Sequence, residues 1–179
     1  AICFRYDFTE ARKDKVVAPY ILGSIGVDLD DEEMDSYKNL GSSMAKARRQ
    51  LQSRHHYPHE FKPFLTRAQH PANLSEGILC QRFFDGLQGR RKITAECAEK
   101  VAVVAKLDDV IEQSSGTLIY TETIESAKKL AKLFDQHRFQ VEAYHSNLRI
   151  GERKIMFDRF RSGSTTCLAA VRTLDEGIN

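Results

Sequence analysis

From Thr117 to Val171 the chain alternates short β-rich runs with amphipathic stretches of helical length, and this alternation narrows the possible folds more than any other feature. "TLIYT" (117–121), "FQVEAYH" (139–145) and "TTCLAAV" (165–171) read as strands, being apolar, β-branched or aromatic and bounded by polar or turn-forming residues. Between them, "IESAKKLAKLFDQH" places Ile124, Ala127, Leu130, Ala131 and Phe134 on one helical face. "RIGERKIMFDRFRSG" is expected to turn Ile155, Met156 and Phe160 inward and to stop near Gly163. The order is β-α-β-α-β. Helices of that length between successive strands imply right-handed crossovers and a parallel sheet flanked by helices, an α/β fold whose ligands are expected at the carboxyl ends of the strands.

The first 113 residues read differently. Residues 1–27 form a connector in which Pro19 prevents a long helix, and residues 28–113 form a mainly helical segment. Within it, "DLDDEEMDSYKNLGSSMAKARRQLQSR" suits a helix N-capped by Asp30, with acids in its first turn, bases toward its end and Gly41 weakening its middle. "HHYPHEFKPFL" interrupts the pattern with two prolines. "ECAEKVAVVAKLDDVIEQ" restores a helix with Val101, Val104, Ala105 and Ile111 on one side.

Charge follows this division. Formal net charge is only +2, yet residues 1–40 hold five Lys/Arg against nine Asp/Glu. Residues 41–70 hold six Lys/Arg and four His against Glu60 alone. A nucleic-acid role must therefore come from local patches. "RRQLQSRHH" taken alone reads more readily as a solvated helix end. With 41% apolar residues over 179 positions the chain can bury a real core. No apolar run approaches the about 18 to 20 residues that span a bilayer, so no membrane association is expected. Cys3, Cys80, Cys97 and Cys167 form no C-x-x-C pair, which points to free thiols in a reducing compartment, the cytoplasm or, depending on the organism, the nucleoid or nucleus.

The expected chemistry lies at three strand ends, "YTET", "HSN" and "RTLDEGIN". Thr123 can N-cap the helix that follows it or lie beside a bound phosphate; the cap is the commoner use. His145 and Ser146 follow the second strand. Arg153 and Arg161 suit a solvated helix face, as do Lys128 and Lys129. "LDEG" superficially resembles an acidic Mg²⁺ turn, but the chain contains no G-x-x-x-x-G-K-[ST] loop. Neither a nucleophile–base pair nor a close pair of carboxylates follows from spacing, so no catalytic residue is assigned.

"TLIYTETIESAKKLAKLF", "VEAYHSN", "GERKIMFDRFRSG" and "LAAVRTLDEGIN", in this order, resemble the second RecA-like domain of superfamily 2 helicases and translocases through motifs IV, IVa and V. The upstream "FRYDFTEARKDKVVAPYILGSIGVDLDDEEMDSY" resembles the connector that follows the first motor domain in the XPB-like, restriction-type and Swi2/Snf2-like branches. The resemblance implies an incomplete P-loop NTPase-type second domain over 114–179, cut after motif V, whose missing partner is the first RecA-like domain. ATP and Mg²⁺ would be shared between the two domains in the full-length protein, with none expected on this chain alone. Carried over by position, Glu176, Gly177 and Asn179 would face the nucleotide, with Asn179 near the ribose. Arg172 and Thr173, joined by Thr121, Thr123 and His145, would contact nucleic acid, DNA in preference to RNA. Departures refine this. Many members have Asp where Asn179 stands, although Swi2/Snf2-like relatives commonly carry Asn there and an Arg matching Arg172. Glu176 replaces the Arg of the DEAD-box pattern, which favours DNA translocases over RNA unwinders. The expected function is thus the C-terminal half of an ATP-driven DNA helicase or translocase in repair, restriction or a related process, inactive alone. The alternative is a non-enzymatic α/β module that binds a protein partner or a phosphorylated ligand.

Overall fold

The computed structural model describes residues 8–16, 21–134 and 140–171. After a short helix α1 (Phe8–Lys13), residues 21–30 run without regular structure into α2 (Asp31–His55), α3 (Phe61–Ala68), α4 (Leu74–Glu96), α5 (Ala98–Ala105) and α6 (Asp108–Gln113). Then come β1 (Thr117–Thr121), α7 (Ile124–Leu133), β2 (Val141–Tyr144), α8 (Ile150–Arg161) and β3 (Cys167–Val171). The three strands form a parallel sheet in the order β1-β3-β2. Among the described residues no helix is long and apolar enough to cross a membrane.

The last strand in sequence lies at the centre of the sheet. Cys167, Leu168, Ala169 and Ala170 are fully buried, the near-continuous apolar run of a parallel strand covered on both faces. On one face Cys167 and Ala169 pack with Val141, Ala127, Leu130, Phe134 and Ile111, so α7 and α6 cover it, joined by Val101 and Val104 of α5. Side chains alternate across a strand, so Glu142 turns to the other face, where Arg159 of α8 pairs with it at 3.0 Å. Phe160 of α8 closes on Gly116. Burial pushes the Cys167 thiol up to about 11, so it is protonated at neutral pH. Cys80, Cys97 and Cys167 are free and buried.

α2 and α4 form an antiparallel helical arm: Tyr37 meets Arg90, Leu40 meets Gly89 and Met44 meets Gly86. The arm has its own core, in which Leu51, Tyr57, Phe64, Cys80 and Phe83 are buried and Phe64 meets Phe83 edge-on at 4.9 Å between ring centroids. Asp30 caps α2 as expected, accepting from Glu33 N at 2.8 Å while the Glu33 carboxylate accepts from Asp30 N at 3.2 Å.

Four sequence expectations are corrected. The helix expected over 96–113 is two helices, because the chain turns at Lys106 and Leu107; Val101, Val104 and Ile111 nevertheless all reach the sheet. The two prolines hide α3, since Pro63 lies in its first turn, where an N–H has no intrahelical partner to lose. Ile155 points outward at 53% exposure, while Arg153, Met156, Phe157 and Phe160 form the inward stripe of α8. Arg153 is therefore not on the solvated face: its Nε is buried and has no hydrogen-bond partner. α2 runs on through Gly41, which faces the Arg90 guanidinium.

Candidate nucleic-acid interface

Strand register aligns the carboxyl ends of the sheet. Thr121 pairs with Val171 and Tyr144 with Ala170, so His145, one residue on, is level with both. With neighbouring strands about 4.8 Å apart, Thr121 and His145 stand roughly 10 Å from each other on either side of the end of β3. Three of the expected contact residues, Thr121, Thr123 and His145, thus share one edge. Arg172, Thr173, Glu176, Gly177 and Asn179 lie outside the described residues.

The two threonines hold the edge in shape. Thr121 Oγ1 donates to the Thr123 carbonyl at 3.0 Å. Thr123 Oγ1 accepts from Ser126 N at 3.1 Å, the N-cap expected of it, and donates to Ser126 Oγ at 2.9 Å. Ser126 Oγ in turn donates to the Ala95 carbonyl at 3.3 Å. His145 differs: it is 7% exposed and its Nδ1 has no partner. The nitrogen is enclosed by protein atoms, so a partner would reach it only if the strand-end loop shifts.

The arm reaches this edge through α4, where Arg91 pairs with Glu122 at 2.9 Å. Between α4 and the β1–α7 loop lies a cleft of about 420 Å³ lined by Gln88, Arg91, Lys92, Glu122 and Thr123. The sequence reading missed this junction, because nothing local links Arg91 to a residue 31 positions away. A second cavity, about 370 Å³ and largely apolar, lies between Ile25 and Val27 on one side and Val101, Val104, Ile119 and Tyr120 on the other. Its wall also carries Lys100, Thr121, Glu122 and Ser126, so it borders the same strand edge.

The matched family covers the sheet and its helices: residues 100–179 match the helicase conserved C-terminal domain. Residues 100–179 are a superfamily 2 helicase C-terminal domain. The parallel sheet and flanking helices agree with the RecA-like form of that domain. The chain is also 32% identical over 82 residues to "ATP-dependent helicase Lhr-Core protein 2" of Thermococcus barophilus (strain DSM 11836 / MP), an alignment covering 44% of this chain and 10% of that protein. The chain therefore spans about a tenth of the relative's length. The helicase C-terminal domain begins inside α5, so the match includes the helices that cover the β1–β3–β2 sheet and excludes the arm.

Among the described residues no group of three or more His, Cys, Asp or Glu side chains is placed to hold a metal ion.

Proposed function

We propose that this chain is the C-terminal half of a nucleic-acid-dependent ATPase motor that moves along DNA. The observation that carries the reading is the shared carboxyl edge of a helicase C-terminal domain, where Thr121 and Thr123 are fixed by hydrogen bonds and His145 keeps a buried Nδ1 without a partner. Arg172, the next residue in the sequence after Val171 at the end of β3, is the cation the reading assigns to this edge. Contacts of this kind bind the phosphate backbone with little sequence preference and strong salt dependence. ATP and Mg²⁺ would be bound jointly with a first RecA-like domain, Glu176, Gly177 and Asn179 being this chain's share.

Phosphoryl transfer in such motors depends on positioning and on charge compensation from both sides of the phosphate. The chain alone is expected to show no ATP turnover above the rate without protein, with or without DNA. It is expected to bind duplex and single-stranded DNA in fluorescence anisotropy, several-fold more weakly after Arg172→Ala or His145→Ala with unchanged circular dichroism. Robust ATPase activity of the chain by itself would overturn the half-motor reading. Full binding by both variants would move the track away from this edge.

A further inference from the structure

The arm carries a second charged surface, apart from the strand edge. On α2, Lys46 and Arg49 are exposed one turn apart, and neither has an ion-pair or hydrogen-bond partner among the described residues. Beside Arg49, Arg48 donates to the His59 carbonyl at 2.6 Å, which draws the start of α3 against α2. The Arg48 guanidinium lies 5.7 Å from the Phe61 ring centroid and 5.2 Å from that of Phe64. Phe64 is buried, but Phe61 is 51% exposed between His59 and Lys62, both exposed as well. Glu60 is the one acid in residues 41–70, against six Lys/Arg. Met44 lies opposite Gly86 in the antiparallel pair, which sets Arg48 about nine residues of α4, roughly 13 Å along the axis, from Arg91. The basic stretch of the arm is therefore separate from the place where the arm joins the sheet.

We propose that Arg48, Arg49 and Lys62, together with the exposed Phe61 ring, form a second contact for single-stranded nucleic acid. The choice of partner rests on the motor reading and on one local feature. A cluster of cations suits any polyanion, but a half-exposed ring set among them matches a chain whose bases stack while its phosphates pair with the cations. An acidic protein segment would use the charges and leave the ring idle. The basic run read as a solvated helix end thereby acquires a use, once the structure places α3 and its aromatic ring beside it.

The test is anisotropy titration of the whole 179-residue chain with a labelled twenty-nucleotide oligo-dT at several salt concentrations. Arg49→Glu with Lys62→Glu is expected to weaken binding at least about 10-fold at low salt and to reduce the salt slope by about 1.4, the value for two lost single-strand phosphate contacts. Phe61→Ala is expected to weaken it at least about 5-fold, as for loss of one stacked base, with little effect on a twenty-base-pair duplex. The control, Lys129→Glu with Lys132→Glu on α7, keeps wild-type affinity, and circular dichroism shows each variant folded. Three outcomes overturn the proposal. The first is no binding by the wild-type chain at low salt. In the second, the arm variant binds like wild type; if Arg172→Ala still loses binding, the motor reading stands without the arm. In the third, Phe61→Ala has no effect and polyaspartate displaces the oligonucleotide as readily as unlabelled oligo-dT does, which assigns the surface to an acidic protein. Robust ATP hydrolysis by the chain alone would end the half-motor reading and leave the arm result to stand on its own.

Discussion

Glu76 shows how much one residue can organise. Its carboxylate is 7% exposed and accepts from Ala72 N at 3.0 Å, from Tyr57 Oη at 2.9 Å and from Arg67 at 3.1 Å, with His55 at 3.5 Å. The Ala72 N–H holds this carboxyl below the usual carboxylate range; burial opposes the shift, while Tyr57, Arg67 and His55 add to it. Burial, with Cys80 and Glu76 beside the ring, keeps the Tyr57 phenol protonated far into the alkaline range. Because the folded value for Glu76 is depressed, its stabilisation is fully present above the unfolded carboxylate range and is lost as pH falls through the folded value. The thermal midpoint of α2–α4 is thus expected to drop on acidification below about pH 5. Glu76→Gln should lower the midpoint by several degrees at pH 7 and flatten that acid dependence, read by circular dichroism melts from pH 4 to 7. An unchanged acid profile in the variant would place the dependence on other carboxylates. Asn73, the cap whose side chain accepts from Glu76 N, stands three residues before it in the sequence, a signature that could have revealed the start of α4.

At the scale of elements, two glycines of α4 lie one turn apart and ask for opposite outcomes. A Cβ on Gly86 would stand 2.8 Å from Met44 Cβ and 3.1 Å from the Leu40 carbonyl, neighbours that cannot swing aside. Gly86→Ala is therefore expected to cost about 1 to 3 kcal/mol through overpacking, outweighing the gain of up to about 1 kcal/mol in helix propensity. A Cβ on Gly89 would meet only the flexible end of Leu40, at 2.9 Å from Cδ1. Gly89→Ala is expected to be stabilising by about 0.5 to 1 kcal/mol. Urea unfolding of both variants checks the pair; equal shifts would mean that the helices do not meet closely at Gly86. Periodicity revealed α2 and α7 because each buries one apolar stripe along its length. It misled over α8, where Ile155 lies about 100° of helical turn from Met156 and away from the stripe centred on Arg153, Met156 and Phe160. Apolar identity alone does not say which side of a helix the sheet will occupy.

Over the whole molecule, the described residues gather around two hydrophobic cores, one in the arm and one beneath the sheet. Short polar links join them: Arg91 to Glu122, Ser126 to Ala95, the Glu33 carboxylate to Ala98 N, and the Glu99 carboxylate to Asp28 N. Such a junction carries far less stabilisation than either core, so the two are expected to open separately. Phe83→Ala, which empties a fully buried position at an expected cost of about 3 to 5 kcal/mol, should raise amide hydrogen exchange across α2–α4 and leave the amides of Cys167–Val171 protected. A uniform rise would show a single cooperative unit. The sequence by itself determined the three strands, the Asp30 and Thr123 caps, the stop at Gly163 with its φ of +76°, and the helicase resemblance, since each depends on residues within a few positions of one another. Only the tertiary structure decided that β3 enters between β1 and β2, that Thr121 and His145 flank its end, that Arg91 meets Glu122, and that Phe61 stands half-exposed among cations. Those outcomes depend on pairings across tens of residues, whose free energies come from burying surfaces against each other and leave no local period in the chain.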